Sequence, residues 1–416
     1  MTDRPLSFCM ITTFYPPYNF GGDGIFIHRL SNELARNGHK VDVIHCIDSY
    51  RLLSGREPEQ GYDDHPNVTV HGLKSRAGFL SPLLTHQTGI PFFKSSRIKE
   101  ILKKGFDVIH YHNISLVGGP RVLQYGEGVK LYTMYEYWLL CPTHLLFRFN
   151  REACQKKHCM LCSLIYRIPP QLWRYTGMLK RNVRHVDAFL AMSHFCKDIH
   201  EKIGLDIPVR YLPSFSSSEG IADNLSEEAG HNMPERPYFL FTGRLVRLKG
   251  LHTLITVFRN YRKADLLIAG AGSDEPKLKK LAQGIPNIHF LGYVSDTRLS
   301  SLYRQAAALI VSSVCFEVSP LVIMEAFREK TPVIVRNIGG MPELVQESGG
   351  GLIYETDDEL VDAMESLLEN RSGRDELGMK GYEAYCKNWT AQAHVNQYLE
   401  LIREIADAGG KGINEK

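Results

Sequence analysis

The stretch SSVCFEVSPLVIME, Ser312–Glu325, decides the fold reading. The apolar run Ala306–Val311 before it reads as a buried parallel strand, and Ser319 followed by Pro320 opens an apolar segment with the N-cap and first-turn chemistry of a helix. A strand hands over to a helix N-terminus. Glu317 in the loop and Glu325 in the helix bracket this junction with seven residues between them, and the helix start offers free N–H groups to an anion such as a sugar phosphate. The same pattern also fits two solvated carboxylates, with Leu321, Val322, Ile323 and Met324 as ordinary core.

Upstream, the same rhythm repeats. Tyr238–Thr242 reads as a strand, followed by the loop GRLVRLKG, a helix over Leu251–Tyr261, a strand over Asp265–Ala269, a GAG turn and a strand over Asn287–Leu291. A first series precedes it: strand Phe8–Thr13, the loop FYPPYNFGGDG, a helix over Ile25–Asn37 stopped by Gly38, and strand Val41–Cys46. There is no G-x-G-x-x-G, so a dinucleotide fingerprint is not supported. Asp107–His112 and Lys130–Met134 add two short strands. Strand C-terminal ends line the ligand crevice of a doubly wound sheet, which makes His110, His112, Tyr135 and Glu136 candidate contacts.

Between the two series lies SFSSSEGIADNLSEEAGHNMPER, a polar stretch with almost no apolar periodicity, read as a linker. The predicted class is therefore α/β, with two facing Rossmann-like domains and a cleft between them. The boundaries are 1–213, 214–236 for the linker, 237–390, and 391–416 for a C-terminal amphipathic helix that could cap either domain. A chain of 416 residues is too long for one core.

The net charge of +3 conceals an asymmetry: residues 1–213 carry 27 Lys+Arg against 18 Asp+Glu, and the remainder 22 against 28. A basic front half suits anionic lipid or phosphorylated ligands, or simply a scattered basic surface. Within it, IYRIPPQLWRYTGMLKRNVR places Arg167, Arg174, Lys180, Arg181 and Arg184 among Ile, Leu, Trp and Tyr, which fits a peripheral membrane contact or a solvated helix face. The apolar run Leu6–Tyr15 has no basic leader, and no run reaches the roughly 18 apolar residues of a membrane span. The expectation is a cytoplasmic protein, at most at the inner face of the membrane, with no nucleic-acid partner.

Nine cysteines, an odd number, argue against a disulfide framework. Cys141, Cys154, Cys159 and Cys162 form C-x12-C-x4-C-x2-C in a loop rich in basic residues, the thiol count of a structural zinc or an iron–sulfur cluster. The alternative is four reduced thiols in an insertion. Cys9, Cys46, Cys196, Cys315 and Cys386 are dispersed.

Taken in order, GGDG, GRLVRLKG, GAG, EVSPLVIMEAF and IGGMPELV resemble the signature series of family 4 retaining glycosyltransferases of the GT-B fold. The resemblance implies a C-terminal domain that binds a nucleotide diphosphate sugar donor, an N-terminal domain that binds a glycan or lipid-linked acceptor, and a last helix that crosses back to the N-terminal domain. It implies donor diphosphate binding by Arg244 and Lys249, with Gly243 beside them and backbone N–H groups around Ser319, Pro320 and Leu321. Glu325 would take the ribose hydroxyls and Glu317 the hydroxyls of the transferred sugar, while Gly21 and Gly22 close on the donor from the other domain. No Asp-x-Asp stands beside a strand, so catalysis is expected to need no metal. Tyr135, in TMYEYW, stands where many relatives carry a His near the reaction centre, and neutral Tyr cannot become a cation. Two further readings follow: a catalytically weak GT-B protein that binds a sugar nucleotide or glycan, and a GT-B epimerase, which the motif series disfavours.

Overall fold

The computed structural model describes residues 4–58, 61–156, 158–202, 207–217 and 236–411; most of the linker read at 214–236 lies outside the described residues. The chain divides into two compact units, Met1–Leu212 with Ala391–Lys416, and Pro213–Thr390.

The first unit is built on β1 (Ser7–Ile11), β2 (Lys40–Cys46), β3 (Val68–Leu73), β4 (Val108–Tyr111) and β5 (Val129–Met134). A short antiparallel hairpin, β6 (Phe147–Arg148) and β7 (Glu152–Ala153), precedes β8 (Ala188–Ala191) and β9 (Val209–Tyr211). Seven strands pair in the order β3-β2-β1-β4-β5-β8-β9, all parallel. Parallel strands covered on both faces must be apolar throughout, and Phe8 to Ile11, Val108 to Tyr111 and Ala188 to Ala191 are all buried. Strand order reverses between β1 and β4, so their C-terminal ends open the crevice where such sheets take ligands. The C-terminal helix Ala391–Ala408 belongs to this unit and buries His394, Val395, Tyr398 and Ile402 at helical spacing, Tyr398 lying 6.1 Å from Phe8 ring to ring.

The second unit contains β10 (Tyr238–Thr242), β11 (Asp265–Ala269), β12 (Ile288–Gly292), β13 (Ala308–Val311), β14 (Val333–Arg336) and β15 (Gly351–Tyr354), parallel in the order β12-β11-β10-β13-β14-β15. Alternation along β10 sorts its side chains into two cores: Phe239 and Phe241 join Leu254 and Phe258 of the helix Leu251–Asn260, while Tyr238 and Leu240 join Phe327 and Trp389. The reversal here falls between β10 and β13. The loop after β10 is GRLVRLKG and the loop after β13 is the Ser312 stretch, so topology alone brings both motifs to one place.

Three local expectations need correction. The first helix begins at Gly22 rather than Ile25, so Gly22 and Gly24 lie in its first turn instead of a tight loop; a Cβ on Gly24 would stand 2.2 Å from Asn19 Oδ1, whose amide nitrogen donates to the Gly21 carbonyl at 2.7 Å. Ser319 does not cap the helix Leu321–Arg328: Pro320 holds the N-cap position, and the Ser319 hydroxyl bonds Ser214 Oγ at 2.7 Å. The basic stretch before Arg184, read as a membrane contact or a solvated helix face, is broken into a 3-10 turn, Leu172–Tyr175, and a short α-helix, Met178–Val183. Arg174 is withdrawn from the surface, its guanidinium 4.5 Å from the Trp173 ring centre and donating to the Trp138 and Leu139 carbonyls. Among the described residues no helix is long and apolar enough to cross a membrane.

Candidate functional site

In the second unit, Gly250 ends the β10 loop with a left-handed φ of +72°, and a Cβ there would lie 1.9 Å from the Ser312 carbonyl oxygen. Only glycine lets the two loops touch. Ser312 Oγ donates to the Lys249 carbonyl at 3.0 Å and the Val314 N–H to Leu248 O at 2.9 Å, so the loops after β10 and β13 are stitched together. A third loop closes on them: the Gly340 N–H donates to Glu317 O at 2.9 Å, and Gly339, at φ +66°, leaves the room a Cβ would take beside that carbonyl.

These braces aim three side chains at one point. Lys249 Nζ and Ser313 Oγ both donate to Glu317 Oε1 at 2.7 Å. No bond reaches Glu317 Oε2 from any described residue. Burial works to raise the Glu317 pKa, but the Lys249 charge, the two hydrogen bonds and Arg244 outweigh it and hold the carboxyl below its ordinary range. Arg244 itself is exposed. One turn into the helix Leu321–Arg328, Glu325 Oε2 accepts from the buried Tyr303 hydroxyl at 3.1 Å; that commits the phenol proton, so Thr242 Oγ1, 3.1 Å away, donates to Tyr303. The arrangement offers two cations, a helix start with no side-chain cap, and two carboxylates each with one oxygen spoken for.

In the first unit, Gly21 sits at the N-cap position and Gly22 opens the first helix, with Asp23 in its first turn accepting from Asn113 Nδ2 at 3.4 Å. Tyr135 follows β5 and lies edge-on to Phe26 at 5.4 Å. His110 and His112, expected at the ligand crevice, are instead 1% and 0% exposed, because both rings are consumed by interior partners. His110 bonds Thr133 and Tyr398, and His112 bonds Tyr135. Desolvation keeps both neutral, His112 pushed down to about 3. Glu136 accepts from His144 at 2.6 Å and braces the cysteine loop rather than the crevice.

The profile for glycosyl transferases group 1 matches residues 224–384, and that for glycosyltransferase family 4 matches residues 20–215. The chain belongs to glycosyltransferase family 4. The alpha-monoglucosyldiacylglycerol synthase of Acholeplasma laidlawii is 24% identical over 407 residues, covering 93% of this chain and 94% of that protein. Sucrose-phosphate synthase from Thermosynechococcus elongatus has the same fold with a TM-score of 0.72, at 20% identity over 97% of this chain and 100% of that one. Anabaena HepE in complex with UDP and glucose superposes with a TM-score of 0.65, at 15% identity over 96% and 100%. Family membership makes the chain a transferase, and the two doubly wound units are those of the GT-B fold.

The family motifs GRLVRLKG and EVSPLVIME meet through Lys249 and Glu317, whereas Ser313, Thr242 and Tyr303 escaped the sequence reading. Ser313 and Thr242 lie at the C-terminal ends of central strands, the signal that had singled out the histidines. Tyr303 lies in the helix Asp296–Gln305 and gave none.

The cysteine loop shows no metal site among the described residues. Among the described residues no group of three or more His, Cys, Asp or Glu side chains converges as a metal ion requires, so the expected zinc or iron–sulfur cluster at Cys141, Cys154, Cys159 and Cys162 is without support. Three of the four thiols have local partners: Cys141 Sγ lies 3.2 Å from Thr143 Oγ1, Cys162 Sγ accepts from the Phe149 N–H at 3.5 Å, and Cys154 Sγ donates to Lys156 O at 3.6 Å. The loop also has a small core, with Leu146, Phe147, Cys141 and Cys162 buried and the Tyr166 hydroxyl donating to Phe147 O at 2.8 Å.

Proposed function

We propose that this protein transfers a hexose-type sugar, with retention, from a nucleoside diphosphate to a glycan or lipid-linked acceptor in polysaccharide or glycolipid assembly. The observation that carries the reading is the Lys249–Glu317–Ser313 cluster, set beside an uncapped helix start at the switch point of the second sheet. In this reading Arg244 and Lys249 hold the diphosphate, together with Gly243 and the N–H groups around Ser319, Pro320 and Leu321. Glu325 accepts from the ribose, and the open Oε2 of Glu317 accepts from a sugar hydroxyl. Gly21, Gly22 and Tyr135 are assigned to the sugar from the first unit. As the glycosidic bond breaks, negative charge grows on the leaving diphosphate, and fixed cations with a helix N-terminus stabilise it at little reorganisation cost. No step is assigned to a metal ion. The acceptor-side role falls to residues 1–213 and the donor role to 237–390. The UDP and glucose held by Anabaena HepE support a nucleotide-sugar donor, and the name of the Acholeplasma relative supports a lipid acceptor.

Screening nucleotide sugars for thermal stabilisation tests the reading, since ligand at 100 times its Kd adds about 2.7 kcal/mol. With the donor so found, Glu325→Gln is expected to raise the donor KM several-fold with a smaller effect on kcat, because ribose hydroxyls do not change during bond cleavage. Unchanged KM would remove Glu325 from the donor site.

A membrane-bound acceptor would need a docking face. Leu53, Phe79, Phe92, Leu172 and Tyr175 are each more than half exposed in the first unit, and the Trp173 indole joins two of these segments by donating to His86 O at 3.0 Å. Lys180, Arg181 and Arg184 follow in the chain and are exposed, the cationic groups that an anionic bilayer surface requires. Flotation with anionic liposomes is expected at low salt and to weaken at high salt. Absence of binding at low salt would refute the docking face.

A further inference from the structure

The buried polar chain behind Tyr135 fixes which way every proton points. It starts at a sulfur: His112 Nε2 lies 3.4 Å from Met10 Sδ, both residues having no exposed surface. A thioether has no hydrogen to give, so this contact is a hydrogen bond only if Nε2 carries the proton. Nδ1 is then bare. Tyr135 Oη, 3.0 Å from Nδ1, must donate to it. The opposite tautomer would set a nitrogen lone pair against sulfur in a site that water does not reach, at the cost of an unsatisfied buried acceptor.

The assignment propagates outward. With its own proton committed to His112, Tyr135 can bond Thr133 only by accepting from the Thr133 hydroxyl. Thr133 Oγ1, 2.7 Å from His110 Nε2, then accepts from that nitrogen, so His110 is also the Nε2–H tautomer. Its Nδ1 in turn accepts from the Tyr398 hydroxyl of the C-terminal helix at 2.7 Å. The sequence Tyr398, His110, Thr133, Tyr135, His112, Met10 donates in one direction throughout.

We propose that Tyr135 is a specificity-determining hydrogen-bond acceptor, its proton locked onto His112 by Met10, so that the sugar group it meets must be a donating hydroxyl. The proposal rests on the placement of Tyr135 at the sugar in the function proposed above. His112, Met10 and Tyr398 act through Tyr135 and are positioning residues.

The test uses the full chain labelled with 15N-histidine. Long-range 1H–15N correlation is expected to show His112 and His110 as Nε2–H tautomers, and Tyr135→Phe to move the His112 Nδ1 shift toward that of a bare nitrogen without changing its tautomer. An Nδ1–H tautomer for His112, or an Nδ1 shift that ignores Tyr135→Phe, overturns the proposal. Met10→Leu, a volume-conserving change that folds where a deletion would not, is expected to release the lock and populate the Nδ1–H form. A second arm uses UDP-glucose as probe donor with singly deoxy and deoxyfluoro analogues. At one hydroxyl, fluorine and hydrogen should each cost about 10-fold in kcat/KM, the scale of one hydrogen bond, and Tyr135→Phe should erase that cost. Fluorine tolerated at every position, with hydrogen not, would overturn the acceptor role. A protein that turns over no nucleotide sugar would remove the proposed function while the tautomer result still stood.

Discussion

Lys249→Ala is expected to lower kcat by about 100-fold or more while changing the donor KM far less, the scale of removing one preorganised electrostatic contact. The charge it faces grows during bond cleavage, so the cation interacts more strongly with the transition state than with the bound donor. Glu317 sharpens the expectation. In the free protein it holds Nζ at 2.7 Å, which fixes the side chain in place and leaves two N–H groups to meet a diphosphate. The pair also sets a pH dependence. Because the Glu317 carboxyl is held below its ordinary value, its contribution to stability is complete above the unfolded glutamate pKa and is lost only as pH falls through the depressed folded one. Native protein should therefore keep the pair across neutral pH, and Glu317→Gln should lose the acid-side dependence together with the orientation of Lys249. Steady-state kinetics on Lys249→Ala and Arg244→Ala decide the matter. Near-native kcat in both would sink the donor-site assignment.

Much of this architecture was legible because parallel strands announce themselves. Tyr238–Thr242 and Asp265–Ala269 came out of the sequence with the bounds they have in the structure, since a strand buried on both faces must be an apolar run ended by glycine or polar residues. That the loops carrying Lys249 and Glu317 lie together follows from motif order and sheet topology; the ion pair between them came only from the structure. What the sequence did not carry was side-chain direction. His110 and His112 sit at a strand end and looked like ligand contacts, yet both rings are buried, His110 on Tyr398 of the C-terminal helix, a contact across 288 positions of chain, and His112 on Tyr135. Ser319 had the chemistry of an N-cap, but Ser214 reached it first. The four-cysteine spacing has the thiol count of a metal site; the small core that buries Cys141 and Cys162 leaves no trace in spacing.

Gly250→Ala is expected to be the most damaging single-methyl addition in the second unit. Two costs combine, and a second glycine separates them. Gly284 has nearly the same backbone, φ +77°, with nothing within 4 Å of a Cβ, so Gly284→Ala reports the left-handed conformation alone, about 1–2 kcal/mol. For a unit of this size that lowers Tm by roughly 2–8 °C. At Gly250 the added carbon would lie 1.9 Å from the Ser312 carbonyl oxygen and 2.7 Å from its carbon, backbone atoms that cannot swing aside as a side chain could. Relief requires parting the loops after β10 and β13, which breaks the bonds from Ser312 to Lys249 and from Val314 to Leu248 and carries Lys249 away from Glu317. Gly250→Ala should therefore lower Tm several times further than Gly284→Ala and abolish stabilisation by the donor, which Gly284→Ala should retain. Equal Tm shifts, or donor stabilisation kept in Gly250→Ala, would mean that the close approach of these two loops does not hold the site together.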